Sequence, residues 1–175
     1  SISSGALIAT HKNALGSGVV TMSGGSLDLR GVSIANNIVV NGNASLLHAE
    51  AASGQLTLNR GELCTSSAIK GNTQLEGGTL KNTSTGASHV SSGTVTLSGA
   101  SLAGDFTIAG SKSCLVEADT AVSGSLELGG KGTLTLKNLS PLSVSDSLYL
   151  DDFTLRLDGK YLAGESYTLI SAKSV

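Results

Sequence analysis

One short phrase returns four times along the chain, and its recurrence limits the possible folds more than any other feature. It reads SGVVTMSGGSL from Ser17, SGQLTLNRGEL from Ser53, SGTVTLSGASL from Ser92 and SGSLELGGKGTL from Ser123. Each copy carries an apolar, polar, apolar triple, such as Val20-Thr21-Met22, fenced by glycine, serine or asparagine. That pattern reads as a short strand between sharp corners. The copies begin 36, 39 and 31 positions apart. A weaker phrase lies between them: Ile38-Val39-Val40-Asn41-Gly42 with Leu46, then Phe106-Thr107-Ile108-Ala109-Gly110, then Leu148-Tyr149-Leu150 with Phe153 and Leu155. Interleaving the two phrases halves the period to about 18 residues, close to one coil of a β-helix with three short faces.

Composition agrees with stacking rather than with an ordinary core. The 175 residues include 23 glycines, no tryptophan and only 3% aromatics, so large rings cannot fill the interior. Leu, Val, Ile and Ala can fill it if each touches its like on the turns above and below. The slightly positive mean hydropathy sets the chain apart from a disordered Gly/Ser linker. Helical readings fail, because no window keeps apolar residues at helical spacing for three turns; Leu46 to Ala52 comes nearest and reads as a strand and an alanine-rich corner.

The expected fold class is therefore all-β, a parallel β-helix (β-solenoid) of about nine coils with about 18 residues per coil. Return paths of a dozen or more residues suit parallel pairing of successive coils. Val20 and Met22, Leu56 and Leu58, Val95 and Leu97, and Leu126 and Leu128 are expected inside, with Thr21, Thr57, Thr96 and Glu127 outside. Corners are expected at Ser23-Gly24-Gly25, Asn41-Gly42-Asn43, Gly71-Asn72, Glu76-Gly77-Gly78, Ser98-Gly99, Ala109-Gly110 and Gly129-Gly130, where glycine and asparagine tolerate positive φ. Between Thr79 and Val90 the phrase is lost and the spacing sets no register. Residues 1–139 form the coils. Residues 140–175, which follow the single proline Pro141 and hold Tyr149, Phe153, Tyr161 and Tyr167, are expected to be a closing coil or C-terminal cap of the same β-helix.

Charge and motifs exclude several functions. A formal charge of −2 with no basic cluster lacks the footprint of a nucleic-acid binder. No apolar run approaches the ~20 residues of a membrane helix, and no charged-then-apolar leader opens the chain, so any export signal is expected outside it. Cys64 and Cys114 are 50 positions apart, nearly three coils or roughly 14 Å at ~4.8 Å per strand. That is too far for a disulfide. Two free, mostly buried thiols are expected.

His11, His48 and His89 are 37 and 41 positions apart, without the close spacing of a metal-binding pair, and read as solvated or corner residues. No GxSxG elbow occurs. Gly124 to Lys131 has the residues of a phosphate loop at the wrong spacing, and corner glycines explain it better. The calcium-binding nonapeptide repeat is missing. Glu117 with Asp119, and Asp146 with Asp151 and Asp152, are the carboxylate sets that a β-helical glycan-processing enzyme could use, since glycoside hydrolysis needs two carboxyls a few ångströms apart. Both sets fall at corners or outward positions beside lysines, where solvated charge is the default. Sequons at Asn43, Asn82 and Asn138 read as chance products of Asn- and Ser-rich corners. No catalytic, cofactor-binding or metal residues are assigned, and no cofactor is expected.

The run ALGSG from Ala14, then the V-x-M strand, GG-S-LDL-x-G, and NNI-x-V-x-G ending at Gly42 resembles the autotransporter-associated β-strand repeat of bacterial passenger domains. LAGESYTLISA from Leu162 is similar to a segment found toward the end of such passengers. The resemblance covers Ala14 to Gly42 well and later copies more loosely. It implies a right-handed parallel β-helix, exported and displayed at the outer surface or secreted, and joined to a C-terminal membrane barrel outside this segment. On that reading the chain is a non-catalytic structural or adhesive module. Its expected partners are host or cell-surface glycans or proteins, with weak end-to-end self-association and no nucleic acid. The alternative is a fragment of a β-helical glycan-processing enzyme.

Overall fold

Alternation at period 2 puts every second side chain of a strand on the same side, and here that side faces a common axis. The computed structural model describes residues 1–84, 89–91, 93–108 and 113–175. A partial rung opens the stack, with Ile2 bridged to Met22 and β1 (Ala6–Ile8). The first three complete turns are β2 (Val20–Met22), β3 (Ser26–Asp28) and Ile34; β4 (Ile38–Val40), β5 (Ala44–Leu47) and a 3-10 turn at Ala49–Ala51; and β6 (Leu56–Leu58), β7 (Glu62–Thr65) and Ile69. Next come β8 (Thr73–Leu75), β9 (Thr79–Asn82) and β10 (His89–Ser91), then β11 (Val95–Ser98), β12 (Ser101–Ala103) and β13 (Phe106–Ile108). The sixth turn is β14 (Ser113–Ala118), β15 (Thr120–Val122) and β16 (Leu126–Gly129); the seventh is β17 (Thr133–Lys137), β18 (Leu142–Val144) and β19 (Leu148–Asp151). A second partial rung, β20 (Thr154–Asp158) and β21 (Ile170–Ser171), ends the stack.

The result is a parallel β-solenoid. Its first face is β2-β4-β6-β8-β11-β14-β17-β20, its second β1-β3-β5-β7-β9-β12-β15-β18-β21, and its third β10-β13-β16-β19. Among the described residues every strand pairing is parallel, and no helix is long and apolar enough to cross a membrane. Eight steps of about 4.8 Å make the second face about 38 Å tall.

The number and length of turns differ from the expectation. There are about seven turns of roughly 20 residues, with a partial rung at each end, instead of about nine of 18. On the first face the register advances by 18, 18 and 17 residues from Val20 through Ile38 and Leu56 to Thr73. It then advances by 22, 19, 20 and 21 through Val95, Cys114 and Leu134 to Leu155. The short turns hold two strands and close the third side with single residues, as in the Ile34–Ala52 bridge. The longer turns carry a true third strand, which needs the extra residues.

The third face also shifts the phase of the repeat. Val20, Leu56 and Val95 occupy the first face, but the copy from Ser123 puts Leu126 and Leu128 in β16 on the third. All eight residues expected inside are buried, and Thr21, Thr57, Thr96 and Glu127 face outward. In the interval without a clear register, Thr79 pairs with Glu62 below and Ser101 above. The expected corner at Ala109-Gly110 lies outside the described residues.

Two columns line the inside of the first face. One runs Val20, Ile38, Leu56, Thr73, Val95, Cys114 and Leu134; the other runs Met22, Val40, Leu58, Leu75, Leu97, Val116 and Leu136. All are buried. The next members, Leu155 and Leu157, are 50% and 46% exposed because no rung covers them. Gly42, Gly61 and Gly78 stack at the corner between the first two faces. Gly61 has φ +85°, and a Cβ there would run into the Gly42 backbone, so only glycine fits.

Thr73 is the one hydroxyl in these columns. Its side chain is buried, and Oγ1 has no hydrogen-bond partner among the described residues. It borders a small, partly open cavity of about 10 Å³ shared with Ile69, Val95 and Phe106. The other walls are apolar, and an ordered water needs two or more polar partners. A buried unpaired hydroxyl is destabilising. Thr73→Val, which keeps the β-branched shape, is expected to stabilise the protein by about 1 kcal/mol, seen as a higher urea midpoint with an unchanged slope.

Candidate functional site

Interacting polar side chains lie about one turn apart. Asn37 Oδ1 accepts from the Gln55 amide N–H at 2.9 Å, Asn43 Oδ1 from Glu62 N–H at 2.9 Å, Asn72 Oδ1 from Thr94 N–H at 3.2 Å, and Asp105 Oδ1 from Ser125 N–H at 2.8 Å. Each satisfies a corner amide of the following turn that the strand ladder does not reach. The buried Asn36 does the same in reverse, donating through Nδ2 to the carbonyls of Gly16 and Gly18 at 3.0 and 2.7 Å. These stacked corner residues are the polar groups that a search for short-range motifs misses.

On the first face the outward residues of turns two to five form three columns. They are Asn37, Gln55, Asn72 and Thr94; Val39, Thr57, Gln74 and Thr96; and Asn41, Asn59, Glu76 and Ser98. Gln55 Nε2 donates to Gln74 Oε1 at 2.8 Å and to Thr57 Oγ1 at 3.2 Å, Asn59 Nδ2 donates to Asn41 Oδ1 at 2.7 Å, and Gln74 donates to Glu76. An open depression of about 250 Å³ crosses this area, lined by Gln55, Asn72, Thr73, Gln74, Thr94 and Thr96. No charged side chain borders it.

Charges gather elsewhere. Asp28 on the second face receives Arg30 Nε at Oδ2, 2.9 Å, and the Arg30 backbone N–H at Oδ1, 2.9 Å; His48 Nδ1 meets Oδ1 at 2.8 Å from the next turn. The Arg30 hydrogen bond, with a smaller contribution from His48, outweighs partial burial and holds the Asp28 carboxyl below the usual range. Glu62 Oε1 receives Lys81 Nζ and the Cys64 thiol, both at 3.4 Å. Lys137 Nζ bonds Glu117 at 2.7 Å, which raises the lysine's pKa. Exposed pairs of this kind are screened by solvent and contribute little to stability.

The histidines expected to be solvated fall at separate places. His11 accepts from Asn13 N–H in the loop before the first turn, His48 sits at a corner with φ +58° against Asp28, and the His89 side chain lies outside the described residues. Among the described residues no three of His, Cys, Asp and Glu gather as a metal-binding group. Of the carboxylates considered for glycan cleavage, Glu117 is engaged by Lys137, while Asp119 lies between β14 and β15 beside Thr120. Asp146 approaches Lys173 at 3.8 Å and Ser125 Oγ at 3.4 Å; Asp151 and Asp152 are exposed at the end of β19, Asp152 with φ +52°. Gly124 to Lys131 forms corners and β16, with Gly130 and Lys131 at positive φ, and β17 follows where a phosphate loop would have a helix. Of the sequon residues, Asn43 caps Glu62, Asn82 Nδ2 donates to the Asp105 carbonyl at 2.9 Å, and Asn138 turns a corner at φ +52°.

Both cysteines are free, and they occupy different faces, Cys64 the second and Cys114 the first. Cys114 is fully buried, which pushes its thiol up to about 12. Cys64 is only half-buried, contrary to the expectation, because it points out of β7 beside Glu62; burial first and Glu62 second raise its pKa.

Comparison with protein-family models, with curated proteins and with solved structures finds no match to this chain.

A disulfide-exchange reagent at pH 8 is expected to label Cys64 slowly in the native protein and Cys114 only after denaturation, because the thiolate is the reactive form. Equal labelling rates for both would contradict this placement. The depressed Asp28 carboxyl stabilises the fold above the ordinary aspartate range, and this contribution disappears as pH falls through its lower folded value. Urea unfolding of wild type and Asp28→Asn should therefore differ at pH 7, and the difference should shrink as pH falls below the ordinary aspartate range.

Proposed function

We propose that this chain is a non-catalytic structural and adhesive segment of an exported bacterial surface protein of the autotransporter type, displayed outside the outer membrane or secreted. The observation that carries the reading is the unbroken stack of parallel turns, in which each turn packs chiefly on its two neighbours. Such a chain can pass through a narrow pore unfolded and add turns one at a time as it emerges, since its stability is a sum of local and nearest-neighbour contributions. The repeat phrase of Ala14 to Gly42 supports the same reading through its resemblance to passenger repeats. The surface depressions are shallow and open, as suits a stalk with adhesive sides.

The test is a chimera with a bacterial secretion leader upstream and a translocating outer-membrane barrel downstream. The segment is expected to become accessible to added protease on intact cells and, once released, to show a β-rich spectrum. Retention in the periplasm, under conditions where the same barrel delivers an established passenger, would overturn the proposal.

A further inference from the structure

Charge is distributed unevenly around the solenoid. In turns two to five, the three outward columns of the first face contain a single ionisable side chain, Glu76, already engaged by Gln74. Asp28, Arg30, Glu62 and Lys81 lie on the second face or the corners beside it. The remaining first-face side chains over this height are amides, hydroxyls and Val39. They carry both donors and acceptors, and they repeat at the inter-strand spacing of about 4.8 Å.

We infer that this strip binds a neutral, hydroxyl-rich polymer, an uncharged polysaccharide lying parallel to the solenoid axis across the depression between Gln55 and Thr96. This rests on the adhesive reading above and names its ligand. Four arguments favour this occupant. An anionic or cationic polymer would find no counter-charge among the residues lining the depression, and Glu76 and Arg60 at the strip's edge are already engaged by Gln74 and by the Asn41 carbonyl. An apolar peptide would strip water from the remaining hydrogen-bonding positions of the strip's amides and hydroxyls without replacing it. A polyol offers donors and acceptors together, which is the inventory of Gln55, Gln74, Thr94 and Thr96. The amide ladder also fixes its own geometry, because the Gln55 to Gln74 bond holds two long side chains in place before a ligand arrives, lowering the ordering cost of binding.

Among the described residues the first face has no ring on which a sugar could stack, so affinity at any one turn is low and strength comes from repetition. A polysaccharide touching several turns gains by avidity, while a short oligosaccharide does not.

Affinity gel electrophoresis of the whole chain tests the proposal, with separate gels containing a β-1,4-glucan derivative, a mannan, a xylan and an arabinan as neutral probes and alginate as an anionic comparator. At least one neutral probe is expected to retard the protein in 0.5 M NaCl as much as in low salt, with its tetrasaccharide a poor competitor. Thr94→Val/Thr96→Val, which keeps β-branched residues in exposed strand positions, is expected to weaken retardation about tenfold. Thr135→Val, on the same face but outside the strip, is expected to leave it unchanged. Circular dichroism melting of each variant separates loss of binding from loss of fold, and Thr96→Lys offers a second variant if the double one melts early. No retardation by any neutral probe, retardation by alginate alone, or equal retardation of wild type and both Thr94/Thr96 variants would overturn the inference. None of those results bears on surface display, which the chimera tests separately.

Discussion

Everything in this molecule depends on the hydrogen bonds between one turn and the next, which hold successive turns about 4.8 Å apart. Because the spacing is fixed by backbone, the side chains have little room to negotiate. An inward residue meets the residue in its own column above and below, and a ring in one turn would need space taken from both neighbours. Val, Leu and Ile fill the two first-face columns almost throughout, and Phe106 is the only buried aromatic among the described residues. The same constraint places glycine where Gly42, Gly61 and Gly78 bring backbone against backbone. The low aromatic content and high glycine content thus have one cause.

The alternating triples were legible in sequence because burial on one side of a strand writes itself at period 2. Val20-Thr21-Met22 and Val95-Thr96-Leu97 could be oriented without knowing anything of their neighbours. What the pattern does not encode is which face a triple joins. The requirement at every face is the same, two inward apolar residues flanked by corner formers, so SGSLEL from Ser123 resembles SGQLTL from Ser53 while lying on the third face. The lengthening of the later turns is hidden in the sequence for a related reason. Spacing between like phrases averages over faces, and it hides the change from 17 or 18 residues before Thr73 to 19 or more after it.

Polar contacts were less legible still. The pairs that matter, Asn37 with Gln55, Gln55 with Gln74, and Asp28 with His48, are 18 to 20 positions apart. No motif of the kind used to recognise enzymes spans that distance at a fixed offset, and the offset drifts whenever a turn gains a residue. Once the register is known, the asparagines cease to be generic corner residues and become caps for particular amides in the following turn. The thiols divide in the same way. Cys114 replaces an aliphatic residue in a column, whereas Cys64 is outward, a difference set by one position along a strand.

Thr73 marks the place where the two halves of the solenoid differ. Below it the third side closes with isolated residues; above it the third side becomes a hydrogen-bonded sheet that begins at β10. Going from Thr73 to Val95 inserts 22 residues where the preceding step used 17. The columns must continue across this change, yet the cross-section they enclose does not stay the same. A buried hydroxyl without a described partner and a small apolar cavity occupy that junction. The junction lies within the height of the neutral strip on the first face. The Gln55 to Gln74 bond ties the turns of β6 and β8 together on the outer side of the first face, one step below that change in turn length.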